Sequence, residues 1–456
     1  MITLLSRKRT SSLALAIALA TGGAVVATAV FPAEASAQRR DRDKEKDEND
    51  GGGYSTEFRE IYLPLEELLK SENPDLTGVE ARLEGLSGVL NTSDEKLAGG
   101  QMIYNTGTTL QDKALQLSGM EFMISSGQLP AENQGRYNFI AYQLADQLGQ
   151  LPKARTYLQV AIEKNFTTEG ITASGLRVTM MESFFSAGEY DAGFEYLRQA
   201  VATQKGQGLA VDESWYRRGL TVAYENEISP AVYQLAGMWL NDYPSATNWR
   251  DAANIARNLS DFQPAEILDL FRLSRRAGAL IDEADYDYYV DVADARRLPN
   301  EVKAVIGEGK ASGVIRESNL FISESLEIAD RRIAADRSDL PALERDAMAT
   351  SAGLRTVVAA GDAFLSYDQY GKAARFYERA LNTPGVETNT VLTRLAISQV
   401  GMGDYTAARA TFGRVTGTRS PIAMLWSAYT DQLIAQTPTT ATAVPAPAPA
   451  TAGTTE

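Results

Sequence analysis

The sequence predicts an all-α fold built from a stack of helical hairpins. Apolar residues recur at steps of three and four, as at Leu144, Leu148 and Leu151, and short breaks of Gly, Pro, Asp or Asn separate the segments. Alternation with period two, which marks strands, is scarce. Helical segments that follow one another with such short breaks pack as antiparallel pairs, so a body of this length is expected to be a helical array.

The first 37 residues have the three regions of an export signal. A basic start at 7–9 precedes an apolar run at 13–31, and the small residues at 35–37 suit a signal peptidase. We expect cleavage after Ala37 and a periplasmic or secreted protein; retention of the segment as a membrane anchor is the alternative. No later segment has the length and apolarity of a membrane span, so none is expected after cleavage.

Two segments that cannot form a core bound the predicted body. Residues 38–53 hold eleven charged side chains and no apolar one, which predicts a disordered linker. Residues 437–456 are rich in Pro, Ala and Thr, which predicts a disordered, extended tail. The helical body is therefore expected over 54–436.

Two adjacent units near the C-terminal end repeat the same residues at a fixed offset. Tyr370 and Tyr405 are 35 residues apart, as are Ala373 and Ala408. In the first unit, small residues at Gly361, Ala373 and Ala380 are expected to let two helices approach closely, while Phe364, Tyr370 and Tyr377 fill the space between them. In the middle of the chain, Trp215 and Trp249 recur at an offset of 34, as do Pro230 and Pro264, and Ala231 and Ala265.

These Gly-x-Tyr and Ala-x-x-x-Phe/Tyr-x-x-Ala positions resemble those of the tetratricopeptide repeat family, in an exported, periplasmic bacterial form. The resemblance implies a right-handed α-superhelix, or solenoid, of helical hairpins that binds other proteins. The best-matching repeats are 135–168, 174–207, 212–279 and 354–421, whereas 54–130 and 275–350 are helical in pattern without assignable repeats. Trp426 and Tyr429 lie in a final helix, which is expected to cover the last hairpin.

The composition excludes much of enzyme chemistry. The chain has no His and no Cys, so the commonest general base, the commonest transition-metal ligand and thiol chemistry are all missing. We expect no catalytic residues, no metal site and no cofactor. The net charge of −15 also argues against binding to nucleic acid.

Three motifs with a chemical interpretation have a simpler structural one. Ser93 and Lys96 have the spacing of a serine acylase, but the segment from Thr92 is typical of a helix start. Residues 307–312 lack the first Gly and the Ser/Thr of a phosphate loop. The acidic residues of 282–294 could hydrolyse a glycosidic bond, but their spacing favours a solvated helix face.

The resemblance implies a concave groove lined by the first helix of each hairpin. The family's usual groove positions fall on Arg136, Phe139, Gln143, Asp146, Glu182, Phe185, Tyr216, Arg250, Asn254 and Arg257. The last three project together on one helix and are expected to hold an acidic side chain or a terminal carboxylate. Ordinary surface polarity and packing between repeats is the alternative for each residue.

Three functions remain open at this stage. The first is a non-catalytic scaffold that binds proteins or peptides in the cell envelope. The second is an adaptor or regulator of cell-wall or polysaccharide machinery, with an envelope polysaccharide as a partner. The third, and least favoured, is a carboxylate-based hydrolase that uses the acidic residues of 282–294.

The repeat register predicts the effect of one substitution. Ala373 lies at the closest approach of two helices, so Ala373→Phe is expected to overpack the hairpin and to lower the free energy of unfolding by about 1–3 kcal/mol or more. Chemical denaturation followed by circular dichroism measures this change. A variant as stable as the natural chain would show that the assumed register is wrong.

Overall fold

The computed structural model describes residues 53–437, and these contain no β-strand. The expectations for 1–37, for 38–52 and for the tail beyond Thr437 lie outside the described residues. The described chain forms twenty α-helices, and an isolated antiparallel bridge between Thr168 and Ile171 is its only extended pairing. The all-α fold class is confirmed. No helix of residues 53–437 has the length and apolarity needed to cross a membrane.

The body predicted over 54–436 divides into two compact units, one ending at Leu129 and one beginning at Pro130. The first unit contains α1 (Thr56–Lys70), α2 (Val79–Ser87), α3 (Ser93–Thr109) and α4 (Lys113–Ser125). Its core includes Phe58, Leu65, Leu83 and Ile103, all at most 2% exposed. No repeat was predicted in this region, which has its own apolar cluster.

Helices α3 and α4 approach so closely that their backbones touch at glycines. A Cβ atom on Gly119 would lie 2.4 Å from the backbone nitrogen of Tyr104 and 2.6 Å from the carbonyl oxygen of Gly100. A Cβ atom on Gly100 would lie 2.8 Å from the carbonyl oxygen of Gly119. Since backbone atoms cannot move aside as a flexible side chain does, this crossing requires glycine at both positions.

Ser93 and Lys96 lie at the start of α3, where the structure has the helix cap that the sequence predicted. Thr92 Oγ1 accepts a hydrogen bond from the backbone of Glu95, and Glu95 Oε2 accepts one from the backbone of Thr92 at 2.9 Å. This reciprocal pair is a capping box. Glu95 is fully buried and also accepts from Ser55 at 2.7 Å. Burial alone would raise its pKa, but these backbone donors lower the pKa to about 2.

The second unit begins with four successive helical pairs. They are α5 (Ala131–Gln147) with α6 (Leu151–Glu163), α7 (Ala173–Phe185) with α8 (Tyr190–Gly206), α9 (Glu213–Glu225) with α10 (Ala231–Asp242), and α11 (Ala246–Asn258) with α12 (Pro264–Arg276). Small residues bring neighbouring helices together, as at Gly219 of α9, where a Cβ atom would lie 2.5 Å from the side chain of Leu197 of α8. These pairs overlap the segments 135–168, 174–207 and 212–279, and α5 and α7 begin before the first two of them.

The region 275–350 departs from this regular pairing. It forms α13 (Glu283–Ala293), α14 (Pro299–Ala311) and the 29-residue α15 (Leu320–Met348). Helix α15 packs on α14 near its start and on α16 near its end, and most residues between 330 and 339 are exposed. A helix that spans two packing sites has no place in a regular hairpin array, which explains why no repeat could be assigned here.

Regular pairing resumes with α16 (Leu354–Ser366) and α17 (Tyr370–Leu381), followed by α18 (Thr388–Met402) and α19 (Tyr405–Phe412). A Cβ atom on Gly361 would lie 2.7 Å from the Tyr377 ring, so the predicted opposition of a small and a large residue is present. Every residue of α18 from Val391 to Val400 is buried. Neighbouring elements therefore cover α18 on all sides.

The final helix, α20 (Ser420–Gln436), covers more than the last hairpin. The Trp426 ring stacks on Phe412 of α19 at 5.7 Å between centroids, as expected for a terminal cap. The same helix also packs on α10, α11 and α12 from the middle of the chain. The side chain of Tyr429 donates to the carbonyl oxygen of Arg276, and that of Gln432 donates to the carbonyl oxygen of Leu240, at 3.1 and 2.7 Å. Both carbonyl groups belong to helix ends and lack an intrahelical partner.

The glycine contact between α3 and α4 predicts a sharp difference between two similar substitutions. Gly119→Ala is expected to lower the free energy of unfolding by about 1–3 kcal/mol, because the new methyl group meets backbone atoms. Gly85→Ala in α2 is the matched control. Nothing lies within 4 Å of its added Cβ, so the gain in helix propensity is expected to stabilise it by about 0.5–1 kcal/mol. Equal effects in chemical denaturation would contradict the close approach of the two helices.

Candidate functional site

The predicted groove residues of α5 divide into exposed and packed positions. Arg136, Gln143 and Asp146 are exposed, so their assignment to a binding surface stays a prediction. Phe139 is half-buried and packs on Phe166 with ring centroids 5.3 Å apart. Its ring is part of the core between α5, α6 and α7.

The groove residues predicted on α7 and α9 are used within the protein. Phe185 is 6% exposed and packs on Phe194, and Tyr216 is fully buried and donates a hydrogen bond to Asp242. Glu182 is half-buried and forms an ion pair with Arg218, whose Nη2 lies 2.8 Å from Oε2. Phe185 and Tyr216 are therefore core residues rather than groove residues, because hairpin packing already covers their rings.

The three residues predicted to hold a carboxylate do lie together on α11, but the structure leaves no room for that group. Arg250 forms ion pairs with Asp282 and Asp285, so its charge is already neutralised. Arg257 donates to Asn254 Oδ1 at 3.2 Å. The cavity that they line with Asp285 has a volume of about 10 Å³, which holds about one water molecule. The prediction of an acidic ligand at this site is wrong, since acidic residues of α13 occupy it.

A larger cleft opens at one edge of the α7–α10 pairs. Its volume is about 590 Å³, and its walls come from the first turn of α7, the end of α8, the loop before α9 and the residue after α10. It is lined by Ala173, Ser174, Arg177, Gln204, Ala210, Val211, Asp212, Glu213, Trp215 and Tyr243. Because the beginnings of α7 and α9 meet the ends of α8 and α10 here, the cleft follows directly from antiparallel pairing.

Hydrogen bonds fix the floor of this cleft. The indole nitrogen of Trp215 donates to Ser174 Oγ at 2.8 Å, and Ser174 Oγ donates to Asp212 Oδ2 at 2.9 Å. Asp212 also caps α9 by accepting from the backbone of Ser214 at 2.9 Å. Hydrogen bonds from Ser214 lower the pKa of Asp212 most, against a partial desolvation, so it is charged at neutral pH. The hydroxyl of Tyr243 donates to the carbonyl oxygen of Val211 at 2.5 Å.

Arg177 is the side chain of the cleft with the most unused donors. It is half-buried, and its guanidinium lies over the Trp215 ring at 5.6 Å from the centroid. Of its five N–H groups, one donates to the carbonyl oxygen of Ala173 at 3.0 Å. No carboxylate among residues 53–437 lies within ion-pair distance of it. The cleft thus presents unpaired N–H groups of Arg177 above the buried ring of Trp215, which is 2% exposed.

A buried cluster of charges lies elsewhere in the second unit, centred on Asp269 of α12. Asp269 is 0% exposed, and three arginines donate to its carboxylate. Arg272 lies 2.9 Å from Oδ1, and Arg419 and Arg394 lie 2.6 and 3.4 Å from Oδ2. The backbone of Asp269 also accepts from the Trp426 indole at 3.0 Å. This cluster joins α12 to α18 and to the start of α20.

A second layer of acidic groups balances these arginines. Glu301 accepts two hydrogen bonds from Arg272, at 2.8 and 2.7 Å, and one from the hydroxyl of Tyr289 at 2.9 Å. Asp362 accepts two from Arg394 at 2.8 Å. Burial alone would raise the pKa of Asp269, but Arg394, Arg419 and Arg272 together lower it. Arg272 likewise lowers the pKa of Glu301 against its burial, so Asp269 and Glu301 are held in the charged state.

The acidic segment 282–294 is neither a catalytic pair nor wholly a solvated face. Asp282 and Asp285 form the capping box of α13 and pair with Arg250. Asp287 accepts from Asn319 at 2.9 Å, whereas Asp291 and Asp294 are exposed. The solvated-face interpretation therefore applies to the last two. Within residues 53–437, no group of three or more acidic side chains is placed to hold a metal ion.

Only part of the cleft and of the Asp269 cluster could be predicted from the sequence. Trp215 could be singled out because a second tryptophan, Trp249, follows at the repeat offset. Nothing in the spacing showed that Ser174, 41 residues earlier, accepts the hydrogen bond from the indole nitrogen of Trp215. Asp269 and Arg419 are 150 residues apart and belong to no shared motif. Their pairing depends on how α20 packs across the unit, which periodicity does not reveal.

No protein-family model and no curated protein matches the chain. Among solved structures, the chain is similar to the crystal structure of the APC/C hetero-tetramer Cut9-Hcn1, with 12% sequence identity, coverage of 84% of this chain and 70% of that chain, and a TM-score of 0.20. A TM-score of 0.20 is too low for this similarity to bear on fold or function. The fold is described by the helices and contacts reported above.

The cluster at Asp269 predicts a large loss of stability from a small change. Asp269→Asn removes the charge that faces three buried arginines, and we expect the free energy of unfolding at neutral pH to fall by about 3–5 kcal/mol. A lowered pKa means that this stabilisation exists above the ordinary pKa of Asp and disappears as the pH falls through the folded-state value. The difference between the two proteins should therefore shrink in acid.

Asp291→Asn, at an exposed position, is the matched control and should change stability by no more than about 0.5 kcal/mol. Denaturant unfolding of the natural chain and both variants, repeated from neutral pH downwards, gives the comparison. Similar stability of the two variants at neutral pH would show that the Asp269 cluster does not stabilise the unit.

Proposed function

We propose that this protein is an exported, non-catalytic scaffold that binds another protein or peptide at the cleft between α7 and α10. The observation that carries the proposal is the cleft itself: about 590 Å³ of open space with a half-buried arginine whose N–H groups are largely unpaired. The N–H groups of Arg177 that make no hydrogen bond within the described residues can be satisfied by the acceptors of a bound polar chain.

The packing of α20 supports this location over the groove on the middle pairs. Trp249 of α11 packs edge-to-face on Tyr429 of α20, with centroids 5.7 Å apart. That face of α11 therefore lies against the protein's own final helix. The edge cleft is not covered in this way, since its lining residues Asp212 and Ala210 are exposed.

The composition and the contacts of the acidic residues support a non-catalytic role. The chain lacks His and Cys, and the most acidic segment uses Asp282 and Asp285 to cap a helix and to neutralise Arg250. These two carboxylates are thus engaged in contacts within the fold. The export signal predicted from the sequence of 1–37 supports a periplasmic location, and the helical hairpins support a scaffold.

Site-specific cross-linking in the cells that make the protein tests this proposal. A photo-reactive residue replaces Leu209, which is 53% exposed on the loop before α9. We expect it to capture a reproducible protein partner, identified by mass spectrometry after cell fractionation. The variant Ala210→Trp places a bulky ring in the cleft and should abolish capture.

Ala334→Trp puts the same ring at an exposed alanine of α15 and is the matched control, which should capture the partner as the natural chain does. Capture that Ala210→Trp leaves unchanged would contradict a binding site in the cleft. Recovery of a polysaccharide with no specific protein would favour the adaptor of polysaccharide machinery instead. Recovery of the cross-linked protein in the cytoplasmic fraction would contradict export.

A further inference from the structure

Ion pairs between arginines and carboxylates recur in the second unit at a nearly constant separation along the chain. They are Arg155 with Glu189, Arg218 with Glu182, Arg250 with Asp285, Arg275 with Glu308 and Arg316 with Glu283, at separations of 34, 36, 35, 33 and 33 residues. These separations are close to the offsets of 34 and 35 at which residues recur in the sequence. Each pair therefore links one helical pair to the next.

Arg177 of α7 departs from this pattern. Asp212 and Glu213 follow Arg177 by 35 and 36 residues, so carboxylates do stand at the usual separation. Asp212, however, accepts from Ser174 Oγ at 2.9 Å. Glu213 forms an ion pair with Arg217 at 2.8 Å. Within residues 53–437, the guanidinium of Arg177 is thus left without the carboxylate that the other pairs lead us to expect.

The guanidinium of Arg177 is already held in place beside the cleft. Its Nη1 donates to the carbonyl oxygen of Ala173 at 3.0 Å, and the group covers the buried ring of Trp215 at 5.6 Å from the centroid. Arg177 also lines the cleft, so its remaining N–H groups are available to a ligand there. A side chain that is positioned before binding loses little conformational entropy on binding, and its planar fork matches a carboxylate.

The two carboxylates that line the cleft do not offer a comparable opening to a cation. Asp212 accepts from the backbone of Ser214 at 2.9 Å in addition to Ser174. Glu213 accepts from the indole nitrogen of Trp239 at 2.9 Å in addition to its ion pair. Both have donors within the fold, whereas most N–H groups of Arg177 have no acceptor among residues 53–437. This difference favours an acidic ligand over a basic one.

We propose that Arg177 binds the carboxylate of an aspartate or glutamate side chain in a peptide segment of the partner. The inference rests on the proposed function, since it assigns to the same cleft the chemical class of the segment that it binds. The partner's carboxylate takes the place that an intrachain side chain takes at the equivalent contacts, such as Glu182 with Arg218. The cleft volume of about 590 Å³ leaves room for the neighbouring residues of the segment.

NMR titration of the full chain with a capped tripeptide tests the inference. The probe is acetyl-Gly-Glu-Gly-amide, whose carboxylate belongs to a side chain, and acetyl-Gly-Gln-Gly-amide is its neutral counterpart of the same shape. The indole N–H signal of Trp215, which lies beneath Arg177, reports binding and is assigned with Trp215→Phe. We expect the Glu peptide to bind about tenfold or more tightly than the Gln peptide, because only the Glu peptide forms a charged hydrogen-bonded pair.

Variants of Arg177 identify the group responsible for this preference. Arg177→Met keeps a side chain that covers Trp215 but removes the charge, so it should bind both peptides equally weakly. Arg177→Lys keeps the charge without the planar fork and should retain a reduced preference. Arg198→Met is the matched control, because Arg198 of α8 pairs with Glu195 and lies outside the lining of the cleft. It should bind both peptides as the natural chain does.

No shift with either peptide, equal affinity for both, or a preference that Arg177→Met retains would overturn the inference. Failure of the inference is distinguishable from failure of the proposed function. Partner capture at Leu209 that Ala210→Trp abolishes and Arg177→Met leaves unchanged would keep the binding cleft and remove the carboxylate contact. A preference for the Glu peptide that depends on Arg177, with no captured partner, would keep the carboxylate contact and remove the scaffold function.

Discussion

The burial of Asp269 among three arginines is the constraint on which the second unit depends. Its carboxylate has no access to solvent, so the charge is stable only while Arg272, Arg394 and Arg419 all face it. Those residues come from α12, α18 and the turn before α20. Glu301 and Asp362 then add α14 and α16 to the same network. A charged cluster that is costly when incomplete favours the one arrangement in which all of these elements meet.

The position of α20 follows from this arrangement and determines which surfaces remain open. With Arg419 beside Asp269, the helix that follows places Trp426 and Tyr429 against α11 and α12. A regular open array would present that face to a partner, but here the protein's own helix covers it. The open surface is instead the edge cleft, where paired helices begin and end. The residues on which the proposed binding site depends, Ser174 and Arg177, come from an edge rather than from a concave face.

The spacing of residues along the chain predicted the fold class and the best-matched hairpins. It could do so because a close helix contact, such as that of Gly361 with Tyr377, requires small and large residues at fixed positions. The same spacing did not predict α15, because this long helix packs on α14 at one end and on α16 at the other. It also misplaced Tyr216, because a buried tyrosine with a hydrogen-bonded hydroxyl looks like an exposed one in a sequence. Ion pairs such as Asp269–Arg419 depend on how distant helices pack, so the periodicity of the sequence does not reveal them. The cleft likewise depends on a hydrogen bond between residues 41 positions apart.

Native-state hydrogen exchange of the natural chain and of Arg419→Met tests the central role of this cluster most directly. The substitution keeps an apolar side chain of similar reach and removes one of the three charges facing Asp269. The account predicts that amides of α12 and α20 exchange as one cooperative unit in the natural chain and lose protection together in the variant. Loss of protection in α20 alone, with α12 unchanged, would contradict the dependence of the unit on this buried charge.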